Sequence, residues 1–241
     1  MPMEVLPGPS GYIPTPAAFE GVELPPPGKA LLYGKIVDEE TAMREAAKAM
    51  LTRRNPTIFP GPLVLWGWNA SAMEKAKAIL ELAMEIPNCR IIPMPDYRPK
   101  YPKIDPEAEI NPNHPNLTIL HNKIEACIFV GVHCHYANLS LRMIRAGTNC
   151  FTIALCAEMG HEDAMVSLRD VHADEIRKFK DVLIQVREEL GIKWEPKLPP
   201  ENPSLPKEEY QTLSVLDYGE YSYLLIPRRG EHVTESEKKR R

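Results

Sequence analysis

The chain lacks the marks of several large protein classes. No run in its 241 residues approaches the roughly 18 consecutive apolar residues of a membrane-crossing helix. The N-terminus, Met-Pro-Met-Glu-Val-Leu-Pro, has neither the basic nor the apolar stretch of a secretory leader. Neither sign of charge is in large surplus. The 29 basic and 33 acidic residues leave a net charge of -4, which offers nucleic acid no general attraction. The basic run Lys238-Lys-Arg-Arg is too short to change that. The five cysteines are an odd count in apolar or strand-end contexts, so no disulfide framework is expected. A reduced, cytoplasmic setting is the default expectation. The common local signatures are missing too. There is no CxxC, HxxxH or HExxH, and no GxGxxG or P-loop.

Proline is what the chain has in excess. Its 25 prolines are about twice the ordinary share. They cluster at residues 2–27, 87–115 and 196–206. Those clusters divide the chain into an extended Pro-rich arm over 1–28, a domain over 29–192 carrying a Pro-rich insertion at 93–115, and a tail over 193–241. In the tail a Pro-rich linker leads to a β-hairpin, whose strands at 212–216 and 221–226 flank Asp217-Tyr-Gly-Glu. A charged end follows. The composition, 44% hydrophobic and 26% charged, supports a packed core.

Within the domain the pattern alternates between strand and helix. Asp38 stands as an N-cap, with Glu39 and Glu40 where a helix dipole favours acids. Ala42, Met43, Ala46, Ala47, Met50 and Leu51 then recur at helical spacing, and Pro56 ends the run. Residues 63–66 read as a buried strand, and Gly67-Trp68-Asn69 as the turn into a helix. That helix would bury Ala72, Ala76, Ile79, Leu80 and Ala83 and expose Glu74, Lys75, Lys77 and Glu81. Short strands are expected at 90–93 and 117–120. Residues 126–132 and 150–155 are apolar strands with a helix at 139–145 between them, a βαβ unit that requires parallel pairing. Ile176, Phe179, Leu183, Val186 and Leu190 mark a long amphipathic helix with Gly191 just past its end. The fold class is α/β, a doubly wound parallel sheet.

In such sheets ligands lie beyond the carboxyl ends of the strands. Here those ends are residues 131–138 and 156–158, and the helix N-terminus at 67–71 adds free N–H groups that attract anions. Asn69, His133 and Asn138 are therefore candidate cofactor contacts. His133-Cys134-His135 raises the question of a metal. Strand alternation would point the two histidines one way and Cys134 the other. Cys150, Cys156 and His161 could join them, but the usual ligand spacings are missing. The better reading is histidines that hydrogen-bond locally and cysteines that act as small hydrophobes, so no metal ligand is assigned. Of the thiols, Cys156 suits a Cys–His nucleophile better than Cys134. Glu158, Glu162 and Asp163 read as a solvated loop.

Residues 30–190 resemble the epsilon subunit family of the carbon monoxide dehydrogenase/acetyl-CoA synthase (acetyl-CoA decarbonylase/synthase) complex. The resemblance runs through Pro62-Leu-Val-Leu-Trp-Gly, Ile124-Glu-Ala-Cys-Ile-Phe-Val-Gly-Val, Tyr136, Phe151-Thr-Ile-Ala-Leu and Asp163-Ala-Met-Val-Ser-Leu. It rests on order and spacing more than on any one motif. It implies a deoxyhypusine-synthase-like NAD/FAD-binding fold and an accessory role without catalytic residues of its own. It also implies a large Ni-Fe-S catalytic subunit as partner, with the Ni-Fe-S clusters held there rather than in this chain. A flavin or nicotinamide nucleotide (FAD or NAD) is the implied cofactor, and Gly67, Gly131 and Tyr136 are placed at strand ends that border it. The arm, the insertion and the tail depart from the family pattern and suggest a chain that wraps neighbours. Two rival readings stand beside this one. The first is an independent NAD- or FAD-dependent enzyme working through His133, His135 or Glu158. The second is a purely structural subunit of another oxidoreductase complex.

Overall fold

The computed structural model describes residues 23–65, 69–92, 94 and 115–196. The expected arm up to 22, the insertion over 95–114, and the hairpin and tail beyond 196 lie outside the described residues.

The described chain opens on a hairpin that the sequence reading passes over. Strands β1 (Lys29–Leu32) and β2 (Lys35–Asp38) pair antiparallel. Tyr33 at φ 52° and Gly34 at φ 76° form the two-residue turn between them. Two positive φ values suit the right-handed twist of a tight hairpin. The usual residue at the first position is asparagine, so a tyrosine there hides the signal. The Tyr33 ring instead stands edge-on to Phe151, with centroids 6.0 Å apart.

Helix α1 (Glu39–Thr52) follows directly. Asp38 is its N-cap residue, but the carboxylate makes no capping bond and takes Lys29 at 2.6 Å. Strand β3 is Thr57–Pro60, and the short helix α2 is Pro62–Leu65. This corrects the expected strand at 63–66. Thr57, Ile58 and Phe59 carry the β-branched and aromatic character, and Pro62 sits at the first position of a helix, where its missing N–H costs nothing. Helix α3 (Ala70–Glu85) is capped by Asn69, whose side chain accepts the Ala72 N–H at 2.8 Å. Strand β4 is the pair Arg90–Ile91. Residues 115–121 form helix α4 (Pro115–His121), not the expected strand, and again a proline starts the helix.

Strand β5 (Ala126–Val130), helix α5 (Cys134–Gly147) and strand β6 (Phe151–Leu155) are the expected βαβ unit. The helix begins five residues earlier than its apolar spacing indicates. Strand β7 (Val166–Leu168) and helix α6 (Ala173–Glu189) are the last elements among the described residues. Gly191, at φ 67°, closes α6 in a Schellman arrangement. Its N–H reaches the Glu188 carbonyl at 3.0 Å, and the Ile192 N–H reaches that of Arg187 at 3.1 Å.

The seven strands among the described residues make one sheet in the order β2-β1-β7-β6-β5-β3-β4. The five from β4 to β7 are parallel, and the β1–β2 hairpin adds an antiparallel edge beside β7. Alternate residues of β5 serve opposite faces. Ala126, Ile128 and Val130 join α1, α3 and α6 in one core. Cys127 and Phe129 join α5 and Ile119 of α4 in the other. Helices thus cover both faces, as an all-parallel centre requires. Successive strands run from β3 outward to β4, then return to β5 on the other side of β3. The order reverses there, and in doubly wound sheets that reversal opens a crevice for ligands.

Candidate functional site

The crevice opens where the β3, β5 and β6 segments end. It is a pocket of about 360 Å³, lined by Val64 after β3, Gly131 to Cys134 after β5, and Leu155 to Glu158 after β6. That volume lies in the range of small-molecule sites.

Two glycines let the strand ends meet. A Cβ on Gly61 would lie 2.4 Å from the Gly131 carbonyl oxygen, and one on Gly131, at φ 65°, would lie 2.8 Å from both Val64 methyls. The Gly61 N–H donates to the Val130 carbonyl at 2.8 Å, and the Leu63 N–H to that of Gly131 at 3.1 Å. Both glycines serve contact between backbones and with Val64.

Three helices bring their N-terminal ends to the pocket: α3 through Asn69, Ser71 and Ala72, α5 through His133 and Cys134, and α6 through His172. Each end carries partial positive charge and N–H groups without helical partners. Lys75 adds a side-chain amine. The sequence reading places Lys75 on the solvent face of α3, but it is buried and donates from Nζ to the Val171 carbonyl at 2.7 Å. Helical side chains lean toward the helix N-terminus, and here that is toward the pocket. Burial holds its pKa below the ordinary 10.5, while Cys156 and Glu175 pull it back up. The donor set suits an anionic group such as a phosphate.

One wall carries a Cys/His cluster. His133, Cys134 and His135 are not strand residues: His133 is the N-cap of α5, and Cys134 and His135 lie in its first turn. Strand alternation therefore does not apply to them. The His133 and His135 rings lie 6.1 Å apart. Cys134 instead meets Cys156 and His161, and the potential ligand atoms of the three lie within 4.8 Å of one another. Cys156 and His161 are buried and Cys134 is exposed. Desolvation against the pocket wall raises the Cys134 thiol above its ordinary pKa, and Cys156 and Glu158 raise it further. The Glu158 N–H points at the Cys156 sulfur, 3.3 Å away.

His161 is tightly held. Its N–H donates to the Ser167 hydroxyl at 2.7 Å, and its Nδ1 lies 2.6 Å from the Asn138 side-chain oxygen. An amide oxygen only accepts, so Nδ1 carries the proton and Nε2 keeps its lone pair. Burial pushes the imidazole down to about 4, so the ring is neutral near pH 7. Two residues on, Asp163 is fully buried and pairs with Arg145, and it also accepts from Arg142 Nε at 3.0 Å. Asp163 is therefore a buried ion-pair centre, not a solvated loop residue.

The candidates named from sequence separate on this framework. Asn69, Gly131 and His133 line the pocket. Tyr136 is buried in the α5 core, and Asn138 orients His161. Gly67 lies outside the described residues. Cys150 does not join the cluster. It precedes β6 at the opposite end of the sheet, where its sulfur lies 3.6 Å from that of Cys127, and both thiols are free. Spacing gave no signal for Lys75 or for the Cys134–Cys156–His161 grouping, because it depends on which strands neighbour each other.

The sheet order and the pocket together define a doubly wound α/β protein with a strand-end site. Residues 21–184, more than half of the chain, match the family described as CO dehydrogenase beta subunit/acetyl-CoA synthase epsilon subunit. The chain belongs to that family. No curated protein matches it. Among the described residues no helix is long and apolar enough to cross a membrane.

Proposed function

We propose that the chain is an accessory subunit of a carbon monoxide dehydrogenase/acetyl-CoA synthase-type complex. In this reading it supports the assembly of a large Ni-Fe-S catalytic subunit, or passes electrons to or from it, in anaerobic one-carbon metabolism. The family match over residues 21–184 carries the proposal. The chemistry then belongs to the partner, and this chain contributes a surface and a pocket. Removing the chain from its source cell is expected to lower CO-dependent reduction of an electron acceptor in anaerobic extract, and adding back the purified chain to restore it. Equal activity with and without the chain would contradict the proposal.

A second reading is an NAD- or FAD-dependent protein in its own right. It is favoured by the three helix N-termini and Lys75 around one pocket, which suit a nucleotide phosphate. Asn69, Ser71 and His133 would hold that phosphate, and Lys75 would balance its charge. The bound nucleotide would supply electron transfer. The missing GxGxxG argues against a dinucleotide held by the usual fingerprint. Equilibrium binding of FAD and NADH to the purified chain tests this reading. Binding of either at micromolar concentration supports it, and binding of neither overturns it.

A further inference from the structure

We propose that Cys134, Cys156 and His161 form a binding site for a thiolate-preferring divalent cation of the Zn²⁺ class, with one coordination position open to the pocket. The three residues come from the first turn of α5, the end of β6 and the loop beyond β6, so the fold alone assembles them. Cysteine sulfur and imidazole nitrogen are the donors such ions select.

The geometry is close to what the ion requires. Zinc sits about 2.3 Å from sulfur and about 2.0 Å from nitrogen, so tetrahedral ligand atoms lie about 3.5–3.8 Å apart. The three ligand atoms here lie within 4.8 Å of one another, so closure needs about 1 Å of movement. Cys134 can supply it, since it is exposed in the first turn of α5. The other two ligands are fixed in advance.

The surroundings also match a metal centre. Metal-bound histidines donate their second ring N–H to an oxygen, which fixes the ring and its tautomer. His161 donates Nδ1–H to Asn138, which leaves Nε2 as the ring nitrogen with a lone pair. The Glu158 N–H donates to the Cys156 sulfur at 3.3 Å and fixes its position. Cys134 and Cys156 both line the pocket, so an ion they held would face it. Three protein ligands with the fourth place open is the pattern of sites that bind water or a small ligand. Lys75 is the competing charge in that pocket. The Val171 carbonyl takes one of its protons.

The test is titration of the full chain, purified under reductant and stripped of metal, first with Co²⁺ and then with Zn²⁺. One equivalent of Co²⁺ is expected to give thiolate-to-cobalt charge-transfer absorption with the visible bands of a tetrahedral ion, and one equivalent of Zn²⁺ to abolish them. Cys134→Ser is the informative ligand variant, because the residue is exposed and the fold does not depend on it. It is expected to weaken binding by at least about a hundredfold, more than loss of an outer-shell partner costs. Asn138→Leu, which removes only the orienting acceptor, is expected to weaken binding about 10–100-fold while leaving the cobalt spectrum tetrahedral. Circular dichroism checks that each variant is folded. The proposal is overturned if Co²⁺ gives no charge-transfer band, if Cys134→Ser binds as tightly as the parent, or if binding is substoichiometric. It is also overturned if Cys134 and Cys156 prove to be joined in a disulfide that reductant does not open under these conditions.

Discussion

Glu125 shows what a single residue contributes at the base of the sheet. It stands just before β5, and its carboxylate accepts the Arg54 backbone N–H at 3.0 Å and the Arg54 guanidinium at 2.9 Å. The backbone hydrogen bond is the main reason its pKa lies below the ordinary 4.5, and the Arg54 charge adds to it. A carboxylate with a depressed folded value gives stability that is present above its unfolded pKa and is lost as pH falls through the folded one. Glu125→Gln is therefore expected to flatten the acid limb of stability below about pH 4.5, in melts recorded between about pH 3 and pH 6. Both side chains are half exposed, so solvent screening holds the effect to about 1 kcal/mol at most. An acid limb unchanged in the variant would show that the contact contributes nothing. Lys75 and His161 carry the other lesson of this scale. Neither has a local pattern that marks it, and each is defined by what lies across the fold from it.

At the scale of elements, the close approach of β3 and β5 at their ends decides where a pocket can form. Gly61 and Gly131 are the residues that allow it. Gly61→Ala would push a methyl group against the Gly131 carbonyl and the Val132 Cα, which are backbone atoms with no flexible side chain to give way. The expected loss is about 1–3 kcal/mol, as for other overpacked sites. At about 2–4 °C per kcal/mol for a chain of this size, thermal melting reads it directly. Melting at the parent temperature would mean that the strand ends sit further apart than described. Much at this scale was legible beforehand. The apolar runs of β5 and β6 and the 3-4 spacing of α1, α3 and α6 are patterns fixed by burial on two faces or one. The misread elements share one cause. Residues 62–65 and 115–121 are short apolar runs, where period cannot separate strand from helix, and in both a proline at the first helical position was the better signal. The β1–β2 hairpin was missed because Tyr33, not asparagine or glycine, adopts the positive φ of its turn.

At the scale of the whole molecule, the family match and the pocket say different things. The match covers residues 21–184 and places the chain in the family described as CO dehydrogenase beta subunit/acetyl-CoA synthase epsilon subunit. The pocket was legible only as a location, the carboxyl ends of the strands. Its chemistry was legible only as an open grouping of His133, Cys134 and His135 with Cys150, Cys156 and His161; the adjacency of β5, β6 and β7 is what selects Cys134, Cys156 and His161. If the accessory-subunit account holds, the chain travels with a catalytic partner. The most direct measurement is an anaerobic native pull-down on this chain, with the co-purifying chains identified by mass spectrometry and nickel and iron measured on the same sample. The account predicts a large partner carrying both metals in fixed ratio to this chain. A chain that elutes alone, or with partners free of nickel and iron, would contradict it.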